Sequence, residues 1–203
     1  MNRWLTLMVA PVLLIAVGCA KAPTEKIVAA EKAVAEAKDA GADKYAAEDF
    51  AKLQSMLDTA KKEATEQDAK FALMRDYGKA EQLLGATQAD AGRVTTETAK
   101  KKEEAKVAAV QAHQAAEEAV KKAQDLVAQA PVGKDRAALE AIKADADGLT
   151  ASLGAVKAAL DGGDYQDAQS KAKAIQDKAQ AVAKEIEDAL AKVAVAKGAK
   201  GKK

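Results

Sequence analysis

The chain has 203 residues, with 32 Lys and Arg against 31 Asp and Glu, one cysteine and one histidine. That balance argues against a nucleic-acid-binding body, and a lone cysteine excludes an internal disulfide framework. Aromatic residues make up only 3% of the chain, which leaves little from which to build a concave apolar pocket. Alanine, lysine and glutamate dominate, the bias of long helices or coiled coils. The preference is physical: Ala loses no side-chain entropy in a helix, and straight-chain Lys, Glu and Gln lose little. Strand formers never cluster with alternating period, so the reading is all-α.

In chain order, Arg3 puts a positive charge ahead of an apolar run from Leu5 to Gly18. The run is too short for a comfortable membrane span and has signal-peptide flanks. Its end, Ile15-Ala16-Val17-Gly18-Cys19, resembles a bacterial lipobox, although that family usually has Leu where Ala16 stands. The resemblance implies a signal peptide over residues 1–18, diacylglycerol on the Cys19 sulfur, and a lipidated tether over residues 19–23. An ordinary signal peptide or a short membrane anchor is the alternative for the same residues. Ala20 in place of aspartate resembles lipoproteins sent to the outer membrane, facing the periplasm, in cells with two membranes.

The first helix is predicted from Thr24 to Ala40, with Thr24 as its cap after Pro23 and Gly41 as its stop. The second starts near Ala46 and carries Phe50, Leu53, Leu57, Ala60 and Ala64 at alternating spacings of three and four. A break follows around Asp68 to Asp76. From there to Gln129 only Gly85 and Gly92 interrupt the pattern, and a glycine costs about 1 kcal/mol in a helix interior. One long helix of roughly 80 Å is therefore predicted. Its middle, Thr95 to Glu104, is polar on every face and suits a solvated bridge; a loop there is the competing reading. A helix from Asp135 carries the stripe Leu139, Ile142, Ala146, Leu149, Leu153, Val156 and Leu160, the clearest amphipathic signal in the chain. Gly162-Gly163-Asp164 stops it and starts the last helix, whose stripe runs from Tyr165 through Ile175 and Ile186 to Val193.

Two segments echo one another. Ala29 to Asp39 aligns with Ala115 to Asp125, and Asp76-Tyr77-Gly78-Lys79-Ala80 aligns with Asp164-Tyr165-Gln166-Asp167-Ala168, a period of about 87 residues. The expected architecture is thus two three-helix-bundle, coiled-coil-like repeats over residues 24–100 and 101–196. They share the long central helix in an elongated molecule, and a basic, disordered tail spans residues 197–203. Tyr77 and Tyr165, placed alike, are read as wedges at the starts of helices.

The phrases Ala37 to Ala46 and Gly163 to Ala168, behind such a leader, resemble a bacterial envelope family, the domain of unknown function 4398. Here Ala47 stands where proline is common, Arg75 where glycine precedes Asp76, and Pro131-Val132-Gly133 where the second repeat should have its Tyr-Ala connection. That resemblance implies envelope location and helical architecture and no biochemical activity. The Gly163 to Ala168 phrase is also similar to part of a tetratricopeptide repeat, but the required recurrence of about 34 residues is missing.

Catalytic machinery is not expected. His113 stands alone beside Gln111, Gln114, Glu117 and Glu118, and one ring with mobile carboxylates does not make a closed metal site. No triad, phosphate loop or paired-carboxylate pocket is present in the pattern. No cofactor, metal or nucleic-acid partner is implied. Lys197, Lys200, Lys202 and Lys203 form a basic end that resembles the peptidoglycan-linked terminus of a Braun-type lipoprotein, and lysines also attract anionic lipid headgroups. A frayed, solvated end is the alternative. The leading expectation is a non-catalytic lipoprotein held to a membrane by acyl chains on Cys19, acting as a helical spacer or adaptor for an envelope partner. The alternatives are a periplasmic binding or assembly module, chaperone-like or tetratricopeptide-like, and a peptidoglycan-linked or self-associating coiled-coil lipoprotein.

Overall fold

The computed structural model describes residues 21–130 and 136–200, with side-chain surroundings for all of these but 136–139 and 192–200. Every regular element among them is helical. The helices are α1 (Thr24–Asp39), the single turn α2 (Ala42–Tyr45), α3 (Ala47–Asp68), α4 (Gly78–Gln129), α5 (Arg136–Asp161) and α6 (Tyr165–Lys200). A short 3-10 turn, Ala72–Met74, lies between α3 and α4. The chain divides into two compact units at Thr95 and Thr96, five residues before the expected boundary and inside α4. That helix is continuous over 52 residues, about 78 Å at 1.5 Å per residue, so the bridging reading replaces the loop.

In the first unit α1, α3 and the first part of α4 pack together. One layer is Ala30 of α1, Ala60 of α3 and Leu84 of α4, all fully buried. A second joins Val34 and Ala37 to Phe50, Leu53, Ala91 and Val94. Exposed ion pairs tie the same helices: Lys26 to Glu81 at 2.6 Å, Lys61 to Glu31 at 2.6 Å and Lys79 to Glu63 at 2.5 Å. Such pairs contribute at most about 1 kcal/mol each, so they select the register more than they hold the bundle together.

The second unit repeats the plan. Ala109, Ala116 and Val120 of α4 meet Leu149 and Val156 of α5 and Ala168, Ala172, Ile175 and Ala179 of α6. The internal alignment is visible in burial. Ala30, Val34 and Ala37 are buried, and so are their counterparts Ala116, Val120 and Ala123. Ala80 and Ala168 are both fully buried three residues after the matching tyrosines. Tyr77 is 3% exposed just before α4, and Tyr165 is half-buried at the start of α6 and packs on the core. Both wedge helix starts as the pattern predicts.

Several local expectations change. Pro23, not Thr24, occupies the cap position of α1, and its carbonyl accepts the Ile27 N–H at 3.0 Å. Proline suits this place because it has no N–H of its own to satisfy there. Gly41 stops α1 as expected, with φ at +96°. Its N–H donates to the Lys38 carbonyl at 2.7 Å, and an added Cβ would stand 3.3 Å from the Tyr45 ring. The turn α2 fits between that glycine and a kink at Ala46, where φ is −141°. Gly162-Gly163 stops α5 with φ at +73° on Gly163 and Asp164 N–H donating to the Ala159 carbonyl at 2.9 Å.

Thr98 is fully buried, so the stretch without buried residues runs only over residues 99–108. The reading of a polar helix without a buried face therefore holds for residues 99–104 of the expected Thr95 to Glu104, and the less polar Ala105 to Ala108 extend the unburied stretch beyond it. The α5 stripe holds at Ala146, Leu149 and Val156. On α6 the buried side turns to Ala183 and Ile186, leaving Ala189 exposed, because a 3.6-residue helix drifts from a strict seven-residue repeat. The expected start at Asp135 and the Pro131-Val132-Gly133 connection lie outside the described residues.

Glycines inside α5 face open space: nothing lies within 4 Å of a Cβ built at Gly148 or Gly154. Gly154→Ala is expected to raise stability by about 1 kcal/mol. Leu84→Ala, at a fully buried site, is expected to cost about 2–5 kcal/mol. Denaturant titration followed by helical circular dichroism measures both.

Candidate functional site

The most elaborated local structure is the connection between α3 and α4. Gln67, 7% exposed, is its centre. Its Oε1 accepts the Asp76 backbone N–H at 3.1 Å and Lys70 Nζ at 2.9 Å, while its Nε2 donates to Glu63 Oε1 at 3.1 Å. Arg75 folds back on the turn, donating from Nη2 to the Asp68 carbonyl at 2.7 Å and from Nε to the Lys70 carbonyl at 3.0 Å. The Tyr77 hydroxyl donates to Asp68 Oδ1 at 2.5 Å, and Asp76 Oδ1 accepts the Gly78 N–H at the start of α4. Carbonyls at a helix end lack intrahelical partners, and Arg75 supplies one.

This frame holds three large apolar side chains outward. Phe71 is 71% exposed, Leu73 65% and Met74 72%. The Met74 N–H donates to the Phe71 carbonyl at 2.8 Å, which closes the turn and draws those two residues together. Sequence reasoning placed a break here and assigned it no role. The signal was the run Phe71-Ala72-Leu73-Met74, apolar residues set between helices where a turn is usually polar.

The residues singled out from sequence fare differently. Cys19, Lys202 and Lys203 lie outside the described residues. Helix α6 continues through Lys200, so Lys197 and Lys200 stand on a helix, not in a disordered tail; their side chains lie outside the description. Alanine and lysine neighbours offset the cost of Gly198 within it.

His113 is partly buried, its side chain 17% exposed with Nε2 3.3 Å from Glu117 Oε1 and Nδ1 buried without a hydrogen-bond partner. No group of three metal-ligating side chains occurs among the described residues. A shallow groove between α5 and α6, lined by Ala144, Gly148, Leu149, Ser152, Ala181 and Val182, is open to solvent. No described helix is long and apolar enough to cross a membrane. No family model, curated protein or solved structure matches the chain.

Charge around the connection sets its response to pH. The hydrogen bond to Asp68, reinforced by burial, raises the Tyr77 hydroxyl above its ordinary 10.0. The Glu63 hydrogen bond raises Lys79 above 10.5, and the Lys79 and Gln67 hydrogen bonds lower Glu63 below 4.5. For Tyr77 and Lys79 the folded state holds the proton more tightly, so their contribution is complete below the ordinary values and is lost as pH rises through the folded ones. For Glu63 the contribution is complete above its ordinary value and is lost as pH falls through the folded one. The thermal unfolding temperature of the first unit is expected to drop above about pH 10 and below about pH 4.5. Tyr77→Phe should flatten the alkaline drop, and circular dichroism melts across pH check it.

Proposed function

We propose that the chain is a non-catalytic, lipid-anchored protein of the bacterial cell envelope whose helical units act as a spacer or adaptor. The observation that carries the reading is the apolar leader ending in Ile15-Ala16-Val17-Gly18-Cys19. The supporting structural fact is that α1 begins at Thr24, five residues after Cys19, so little chain separates an acylated sulfur from the first unit. Buried faces made largely of alanine leave little volume for a ligand, which favours a structural role over a pocketed one. Ala20 following the cysteine favours the outer membrane as the destination, and likeness to the domain of unknown function 4398 agrees with an envelope address.

Cys19→Ala is expected to abolish incorporation of a fatty-acid analogue and leave a larger, unprocessed precursor, read by labelling and gel mobility in bacterial cells. Equal label in variant and parent would overturn the anchor. A binding or assembly module is the second reading, supported by the open groove between α5 and α6. Gly148→Leu would fill that groove; reduced partner crosslinking in cells would favour this reading, and unchanged crosslinking the spacer.

A further inference from the structure

We propose that the tip formed by Phe71, Leu73 and Met74 is a second membrane contact, seated in the interfacial layer of the phospholipid bilayer that carries the anchor. The inference rests on the lipid-anchor reading for its occupant. The tip lies at the end of the first unit where the described chain begins. From the layer of Ala30, Ala60 and Leu84, α1 starts about 9 Å away at Thr24, α4 starts about 9 Å away at Gly78, and α3 continues about 12 Å to Asp68. Lys26 pairs with Glu81, and Lys21 to Lys26 lie against Glu81, which puts the amino-terminal segment beside the first turn of α4. Cys19 precedes Lys21 by two residues, a length of chain that reaches at most about 7 Å.

An acyl chain on Cys19 would therefore bring a bilayer surface to this end of the unit. Phe71, Leu73 and Met74 are large apolar side chains exposed at that end on a turn braced by Arg75, Gln67 and Tyr77, and Val28 near the start of α1 is exposed as well. Four acids at that end are engaged within the unit, Asp76 with the Gly78 N–H, Asp68 with Tyr77, Glu81 with Lys26 and Glu63 with Lys79, while Glu25 at the start of α1 is exposed. Lys70 and Arg75 flank the apolar residues, the order in which cationic side chains sit at headgroup level around an inserted apolar group. Diacylglycerol already supplies two acyl chains, so a seated tip fixes how the first unit meets the bilayer more than how long it stays there.

The test uses the full-length chain in a Trp4→Phe background, so that Leu73→Trp supplies a lone tryptophan at a position 65% exposed. The protein is produced in bacterial cells with a fatty-acid analogue and reconstituted into phosphatidylethanolamine–phosphatidylglycerol vesicles with brominated acyl chains. Val107→Trp, exposed in the other unit, is the control. The expected result is blue-shifted emission from Trp at 73, quenched several-fold more strongly than Trp at 107; Met74→Trp should repeat it. Unquenched emission at both 73 and 74 in labelled protein overturns the membrane contact and leaves the anchor standing. A blue shift that depends on protein concentration and not on bromine assigns the tip to a second copy and also overturns it. Quenching at 73 in protein lacking the Cys19 label supports the tip while removing the anchor.

Discussion

Close approach of helices across alanine is the constraint from which the rest of this structure follows. Alanine supplies most of the buried apolar positions described, from Ala30 and Ala37 in α1 to Ala172 and Ala179 in α6. A methyl group lets backbones come near, yet it removes little apolar surface from water, at about 25 cal/mol per Å2. Several alanines along a seam are needed to equal one leucine. The bundles therefore rely on intrinsic helix preference over long elements, with modest packing added at each turn.

Small side chains also specify register poorly, because one alanine fits another's place with little penalty. The larger residues remove that ambiguity. Leu53, Leu84 and Val94 are fully buried in the first unit, as is Val156 in the second. Charged pairs add direction at the surface, with Lys26 to Glu81 joining α1 to α4 and Lys122 to Glu187 joining α4 to α6. A shift of one helical turn in the first unit would bring Leu53 and Leu84 against alanine-sized gaps and separate the ion pairs.

Much of the fold was legible because amphipathic period is a local property. The stripes of α3 and α5 are read directly from spacing, and Gly162-Gly163 marks a stop that needs no tertiary information. What escaped depends on contacts between distant residues. Thr98 looks solvated from composition alone but is enclosed by its neighbours, and the burial of His113 has the same origin. The apolar tip was hidden for a different reason: reading a break as a break says nothing of which way its side chains face. Arg75 was visible as a departure from the resembled family, but its reach back to the Asp68 carbonyl is a matter of geometry. Cys19, the residue on which the functional reading turns, was found by motif alone.

Residues 99–108 of α4 have no buried side chain, yet they are helical throughout. A peptide of that length is marginal as a helix in water, since starting the first turn fixes several torsions for a single bond. Here the start is supplied from both directions, by turns already packed in each unit. Winding therefore propagates into the bare stretch from either side without a fresh nucleus. Melting of one unit leaves the other still templating the segment, and its amides become orphaned from structure only when both have opened. The stretch thus acts as a shared thermodynamic reserve whose protection follows the more stable of its two neighbours.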